Sequence, residues 1–138
     1  MRSRYAWMLL LLATTACRTQ PSTQKLTEEL KTVNSWATTA NMVSLAWLQN
    51  RVPQVYTKQT LHKTQETLHQ ELDTIAKVAP SQNRATAIHQ VTQLEQIVQQ
   101  METQVDQQNR AALTRTLQDL SNQVQGLQSL VQQSGEQL

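Results

Sequence analysis

The sequence predicts an all-α protein, an antiparallel four-helix bundle, and three observations carry that expectation. Apolar residues recur at alternating steps of three and four over long stretches, the spacing that lines up one face of a helix. Only 2 glycines and 3 prolines interrupt 138 residues, too few for a chain rich in turns. The periodic stretches also become similar in length once the last of them is divided near Asn109. Left undivided, the same pattern gives three helices with a long third one.

The first periodic stretch runs from about Gln24 to Asn50, and Leu26, Leu30, Val33, Ala37, Ala40, Ser44 and Trp47 form its stripe. Trp36, Val43 and Leu48 widen that stripe, and a face so broad needs more than one partner helix. Within it, Trp36, Ala40, Val43 and Trp47 fall on one line and are expected at the centre of the core. Ser22 or Thr23 is expected to cap the helix at its start. Val52-Pro53 ends it, because the residue before a proline is pushed out of helical geometry and the proline readily opens a new helix.

The second helix spans about Pro53 or Val55 to Val78, with Leu61, Gln65, Leu68, Leu72, Ile75 and Ala79 facing inward. Val55 and Tyr56 are expected to close the bottom of the core. Ala79-Pro80-Ser81-Gln82-Asn83 reads as a turn, after which a third helix begins near Asn83 or Arg84. Ile88, Val91, Leu94, Val98, Met101 and Val105 carry its rhythm, flanked by Ile97. Beyond Val105 the rhythm slips by one residue before Leu113, Leu117, Leu120, Val124, Leu127 and Val131. Either one helix absorbs the slip as a stutter, or the chain turns at Gln107-Gln108-Asn109 with Asn109 capping a fourth helix. At ~1.5 Å per residue an unbroken helix from Arg84 to Val131 would reach about 70 Å, twice the length of either helix before it. The break yields four matching rods.

At the N-terminus, Arg2 and Arg4, the apolar run Ala6 to Ala13 and the small residues Thr14-Thr15-Ala16 stand in the order of a secretory signal. The apolar run is too short to cross a hydrocarbon core, which takes ~20 residues. Cys17, the only cysteine, follows directly. These residues resemble the lipobox of bacterial lipoproteins, although Thr14 stands where that class most often has leucine. The resemblance implies that residues 1–16 are a removed signal peptide and that Cys17 carries acyl chains such as palmitate. Two or three such chains would hold the protein on a membrane of the bacterial cell envelope, facing the periplasm or the exterior. Arg18, in place of the Asp that favours inner-membrane retention, leaves an outer-membrane destination open. Two alternatives stand beside this: ordinary signal cleavage that leaves a plain thiol, and a cytosolic protein with an apolar N-terminus. On the lipoprotein reading, residues 17–24 are the lipidated cysteine and a flexible tether, 25–133 the helical bundle and 134–138 a frayed C-terminus.

Charge and composition narrow the function. The chain holds 12 Lys or Arg against 10 Asp or Glu, and Arg2 and Arg4 account for the whole excess, so the part from Cys17 onward is neutral. Without a basic field, nucleic-acid binding lacks its usual driving force, and no nucleic-acid partner is expected. A single cysteine forms no internal disulfide, so packing must carry the fold. Nucleophilic catalysis needs a Ser or Cys beside a base and an oxyanion site, usually on loops. With no glycine-bearing loop to supply one, the chain is read as non-enzymatic, with no catalytic residue and no cofactor.

The most suggestive polar pattern is His62, Glu66, His69 and Asp73, which share one face of the second helix. Such a face holds a metal ion if a facing helix adds ligands, for which His89 and Glu95 are the candidates. The plainer reading is a solvated face opposite Leu61, Leu68 and Leu72. Trp36 and Trp47 are read as core residues, with ligand stacking as the alternative, and Arg51 and Tyr56, which bracket Val52-Pro53, as residues positioned by that turn in a structural pinning role, with recognition as the alternative. The Gln-rich faces of the third and fourth helices suit a partner-binding surface, because neutral amides cost less to desolvate than charges and pair in both directions. They suit plain solvation equally.

The stretch Ser35-Trp36-Ala37 through Trp47-Leu48, with Val52-Pro53-Gln54-Val55-Tyr56-Thr57 and Thr60-Leu61, resembles a segment of small helical bacterial envelope proteins that have no assigned activity. Asn109-Arg110-Ala111-Ala112-Leu113 resembles a helix restart in the same group. The resemblance implies a helical domain and brings no catalytic residue. The expected function is that of a lipid-anchored envelope protein that binds a protein partner through its helical surface. The alternative is a small-ligand or metal carrier using the inter-helix space or the His62, Glu66 and His69 face.

Overall fold

The computed structural model describes residues 22–78 and 80–136. They form four helices: α1 (Ser22–Leu48), α2 (Gln54–Ala76), α3 (Gln82–Asp106) and α4 (Arg110–Glu136). Residues 1–21, with the signal-like segment and Cys17, lie outside the described residues, as do Ala79 and residues 137–138. Helices adjacent in sequence pack antiparallel, α4 closes the ring against α1, and α1 also touches α3 across the diagonal. Short connections between rods of matching length produce this up-down-up-down bundle.

The stripe expected on α1 is buried throughout, from Leu26, Leu30 and Val33 to Ala37, Ala40, Ser44 and Trp47. Trp36 is half-buried at the margin, so the centre of the core follows Val33, Ala37 and Ala40 and not a line through Trp36. On α3, Val91, Leu94, Val98, Met101 and Val105 face inward and Ala87 joins them, while Ile88 and Ile97 flank the core. On α4, Leu113, Leu117, Leu120, Leu127 and Leu130 are buried, with Val124 and Val131 partly covered.

On α2 the inward line departs from expectation. Val55 and Tyr56, expected to close the core, are 66% and 54% exposed, whereas Thr57, Thr64 and Thr67 are buried beside Leu61, Leu68 and Ile75. Gln65 and Leu72 are only half-buried. A threonine hydroxyl in a helix can bond to the carbonyl four residues back and so enters a core already satisfied. Thr57 Oγ1 donates to Pro53 O at 3.0 Å, Thr64 Oγ1 to Thr60 O at 2.8 Å and Thr67 Oγ1 to Lys63 O at 2.9 Å. With Thr57 turned inward as the first core residue of α2, the two residues before it face solvent.

Two boundaries also move. α1 begins at Ser22, inside the segment 17–24 expected as tether, so Ser22 and Thr23 are helical residues and do not stand before the helix as caps. α4 continues to Glu136 through the 134–138 segment expected to fray, and Ser134 is fully buried. Leu113, Leu120, Leu127 and Ser134 are spaced by sevens, so Ser134 occupies the next inward position of the same line.

The chain reverses at Gln107-Gln108-Asn109, which excludes a single long third helix. Asn109 caps α4, its Oδ1 accepting from Ala112 N at 3.1 Å. Gln108 sits in the left-handed region at φ 55°, with Asn109 N bonded to Gln104 O at 2.8 Å and Gln108 N to Val105 O at 3.0 Å. The end of α1 repeats this arrangement: Asn50 has φ 58°, Arg51 N bonds to Ala46 O at 2.8 Å and Asn50 N to Trp47 O at 2.9 Å. Both are Schellman-type helix ends built without the glycine that usually occupies the left-handed position. The α2–α3 turn differs, since Ser81 caps α3 by accepting from Arg84 N at 3.0 Å.

The last carbonyls of a helix have no partner within it, and no helix here carries a basic residue in its own last turn to meet them. Side chains from the first turn of another helix do so. Arg110, at the start of α4, donates to Trp47 O at 3.3 Å and Leu48 O at 3.0 Å of α1, and to Asn50 Oδ1 at 2.8 Å. Arg84 on α3 donates to Ala76 O at 3.2 Å and Val78 O at 3.0 Å. Gln54 on α2 donates to Val105 O at 2.9 Å and Asp106 O at 3.3 Å.

Urea unfolding of two variants checks these turns. Gln108→Gly should raise stability by about 1 kcal/mol by relieving the left-handed conformation. Arg110→Ala should lower it by about 1–2 kcal/mol by stripping the α1 carbonyls of their donor. A destabilised Gln108→Gly variant would contradict the geometry of the reversal.

Candidate functional site

Two surfaces collect polar side chains in a defined pattern, and α3 is a wall of both. The first is the seam between α2 and α3. Lys58, His62 and His69 on α2 are four and seven residues apart, and Asp106, Glu102 and Glu95 on α3 are separated by the same steps in reverse. Antiparallel packing therefore brings them face to face. Lys58 Nζ lies 2.6 Å from Asp106 Oδ1, His62 Nδ1 3.4 Å from Glu102 Oε1 and His69 Nδ1 3.1 Å from Glu95 Oε1. His62 Nε2 also lies 3.4 Å from Glu66 Oε1, and Gln65 Nε2 donates to Glu95 Oε1 at 3.2 Å.

Glu95 thus meets the histidine face as the sequence suggested, while His89 is exposed elsewhere on α3 and Asp73 stands exposed without joining the ladder. The two ring nitrogens of His62 point to different carboxylates. His69 lies seven residues further on, about 10 Å along the helix. Among the described residues no three His, Cys, Asp or Glu side chains come together where one metal ion could sit. As built, the seam is a charged ladder between two helices.

The second surface is a groove of about 380 Å³ between α3 and α4, lined by Gln93, Gln96, Ile97, Gln100, Asp119, Asn122 and Gln123. Five of these residues end in a primary amide, which offers two donors and an acceptor each. On α3, Gln93, Gln96 and Gln100 lie outside the buried line through Val91, Leu94, Val98 and Met101, so the groove runs beside the core. Ile97 gives it an apolar floor and Asp119 a single negative charge.

The aromatic candidates are otherwise engaged. Trp47 is buried, and the guanidinium of Arg110 lies over its ring 4.5 Å from the centroid. Trp36 packs against the core. Arg110, and not Arg51, pins the α1–α2 turn, while Tyr56 points to solvent.

A third feature lies between α1 and α2. Glu71 is partly buried, its Oε2 enclosed without a hydrogen-bond partner. Its carboxyl is pushed up from 4.5 to about 7, first by burial and then by a side-chain hydrogen bond with Glu29 on α1 and the negative charge of that residue. Sequence reasoning missed this pair and missed Glu102 and Asp106, because each partnership needs the register between helices. The one signal available was matched spacing on segments assumed to run antiparallel.

Comparison with protein-family models, curated proteins and solved structures found no match to this chain.

Exposed charge pairs contribute little each. The double variant His62→Ala with His69→Ala should therefore lose less than about 1 kcal/mol of stability at pH 7, and elemental analysis of purified protein should find no stoichiometric zinc or copper. One equivalent of metal that disappears in the double variant would instead make the ladder a metal centre.

Proposed function

We propose that the chain is a non-enzymatic, lipid-anchored protein of the bacterial cell envelope that binds a protein partner through the amide-lined groove between α3 and α4. The observation that carries this reading is the lining of that groove, where Gln93, Gln96, Gln100, Asn122 and Gln123 surround Ile97. Amides of both helices present donors and acceptors at low desolvation cost over an apolar floor, a surface suited to the mixed polar and apolar face of another protein.

The anchor rests on the N-terminal residues, where Thr14-Thr15-Ala16 precede Cys17 after a short apolar run. No described helix is long and apolar enough to cross a membrane. On this reading, attachment is by acyl chains on Cys17, and the few residues between Cys17 and α1 keep the bundle close to the membrane surface. The Ser22 end of α1, the α2–α3 turn and the end of α4 then face the membrane, and the Arg110 end points away from it.

The two parts are tested separately. Radiolabelled palmitate should mark the wild type and not Cys17→Ala; equal labelling would refute the anchor. A photoreactive residue at Gln96 or Asn122 should capture one discrete envelope protein in intact cells, and the same residue at Gln59 on α2 should not. A monomer band at all three positions would refute the groove as the binding surface.

A further inference from the structure

We propose that the groove between α3 and α4 receives a lysine or arginine side chain carried on a short extended peptide segment of the partner. This rests on the reading of the groove as the partner-binding surface and names what that surface selects. Its lining holds one apolar side chain, Ile97, and one charged side chain, Asp119, and the two stand at the same level on opposite walls.

Ile97 lies nine residues before the end of α3 at Asp106, and Asp119 nine residues after the start of α4 at Arg110. The helices are antiparallel across a tight reversal, so equal counts from it place the two residues opposite each other. A long basic side chain is apolar along its stem and charged at its tip. Laid across the groove, its methylenes cover Ile97 and its cation reaches Asp119. No lysine or arginine lines the groove, and Asp119 makes no ion pair among the described residues, so its counter-charge has to come from outside.

The amides around this pair match a peptide backbone. Gln93 and Gln100 flank Ile97 over about 10 Å at ~1.5 Å per residue, the length of three residues of extended chain at ~3.3 Å each. A side-chain amide presents the same donor and acceptor as a peptide group and pairs with it in both directions. Gln54, Gln65 and Gln108 use their amides within the protein, joining α2 to α3 and to the turn after it. Among the described residues Gln93, Gln96 and Gln100 make no such side-chain bond, nor do Asn122 and Gln123 on the other wall. A helical segment would bring peptide groups already bonded to one another, and an acidic one would meet Asp119 with like charge.

Capped alanine pentapeptides with lysine, arginine, norleucine or glutamate at the centre test this on the full, isotopically labelled chain in non-ionic detergent, read by NMR from the side-chain amide resonances. The lysine and arginine peptides should shift the resonances of Gln96, Gln100 and Gln123 and bind about fivefold more tightly than the norleucine peptide, which keeps the stem without the charge. The glutamate peptide should bind most weakly. Asp119→Asn should abolish the preference for lysine over norleucine, while Ile97→Ala should weaken both alike. No shift with any peptide, equal binding of lysine and norleucine, a preference that survives Asp119→Asn, or shifts with chitotriose alone would overturn the proposal. Photocapture from Gln96 in intact cells separates this from the reading beneath it: a partner captured equally by wild type and Asp119→Asn keeps the binding surface and refutes the basic side chain, whereas no capture by either refutes the surface itself.

Discussion

Backbone carbonyls at the C-terminal ends of α1, α2 and α3 have no partner in their own helix, and each set is met by a long donor side chain from the first turn of a different one. Arg110 closes α1 from α4, Arg84 closes α2 from α3, and Gln54 closes α3 from α2. This exchange ties the C-terminal ends of α1, α2 and α3 to a neighbour and fixes those rods against sliding. It matters in a chain whose mean hydropathy is −0.52 and whose outer faces are amide-rich, because a polar bundle has less apolar surface with which to define its register. The exchange in turn requires the chain to reverse at Gln107-Gln108-Asn109, since only then does Arg110 stand beside the end of α1.

Much of the fold was legible because it depends on local periodicity. The buried lines of α1 and α3 follow from the steps of three and four, and Asn109 acts as the cap that a short polar side chain before a periodic run implies. The failures share a cause. Thr57, Thr64 and Thr67 look polar to a periodicity argument, yet each hydroxyl finds its own carbonyl one turn back and then packs as a methyl group. Val55 and Tyr56 look apolar and stand in solvent because the line through Thr57 excludes them. Ser134 resembled a fraying tail, but the spacing by sevens from Leu113 carries it into the core.

The candidate surfaces were less legible, for a different reason. The histidine face of α2 is visible in the sequence, whereas its carboxylate partners Glu102 and Glu95 acquire meaning only when α3 is laid beside it in one register. The Glu29 and Glu71 pair is invisible for the same reason. The amide groove needs two helices to exist at all: Gln93, Gln96 and Gln100 make one wall and Asn122 and Gln123 the other. Composition indicated glutamine-rich helices, and packing decides which glutamines line a groove and which merely face water.

The reversal between α3 and α4 is the claim on which the end contacts, the groove and the proposed partner surface all stand. Spin labels on cysteines replacing Gln96 and Asn122, with Cys17→Ser to leave no third site, report it by dipolar spectroscopy. Packed helices lie about 8–10 Å apart, so the labels should couple strongly, at separations on the order of 10–20 Å. One continuous helix through residues 107–109 would hold them about 40 Å apart at ~1.5 Å per residue, and that distance would contradict the account.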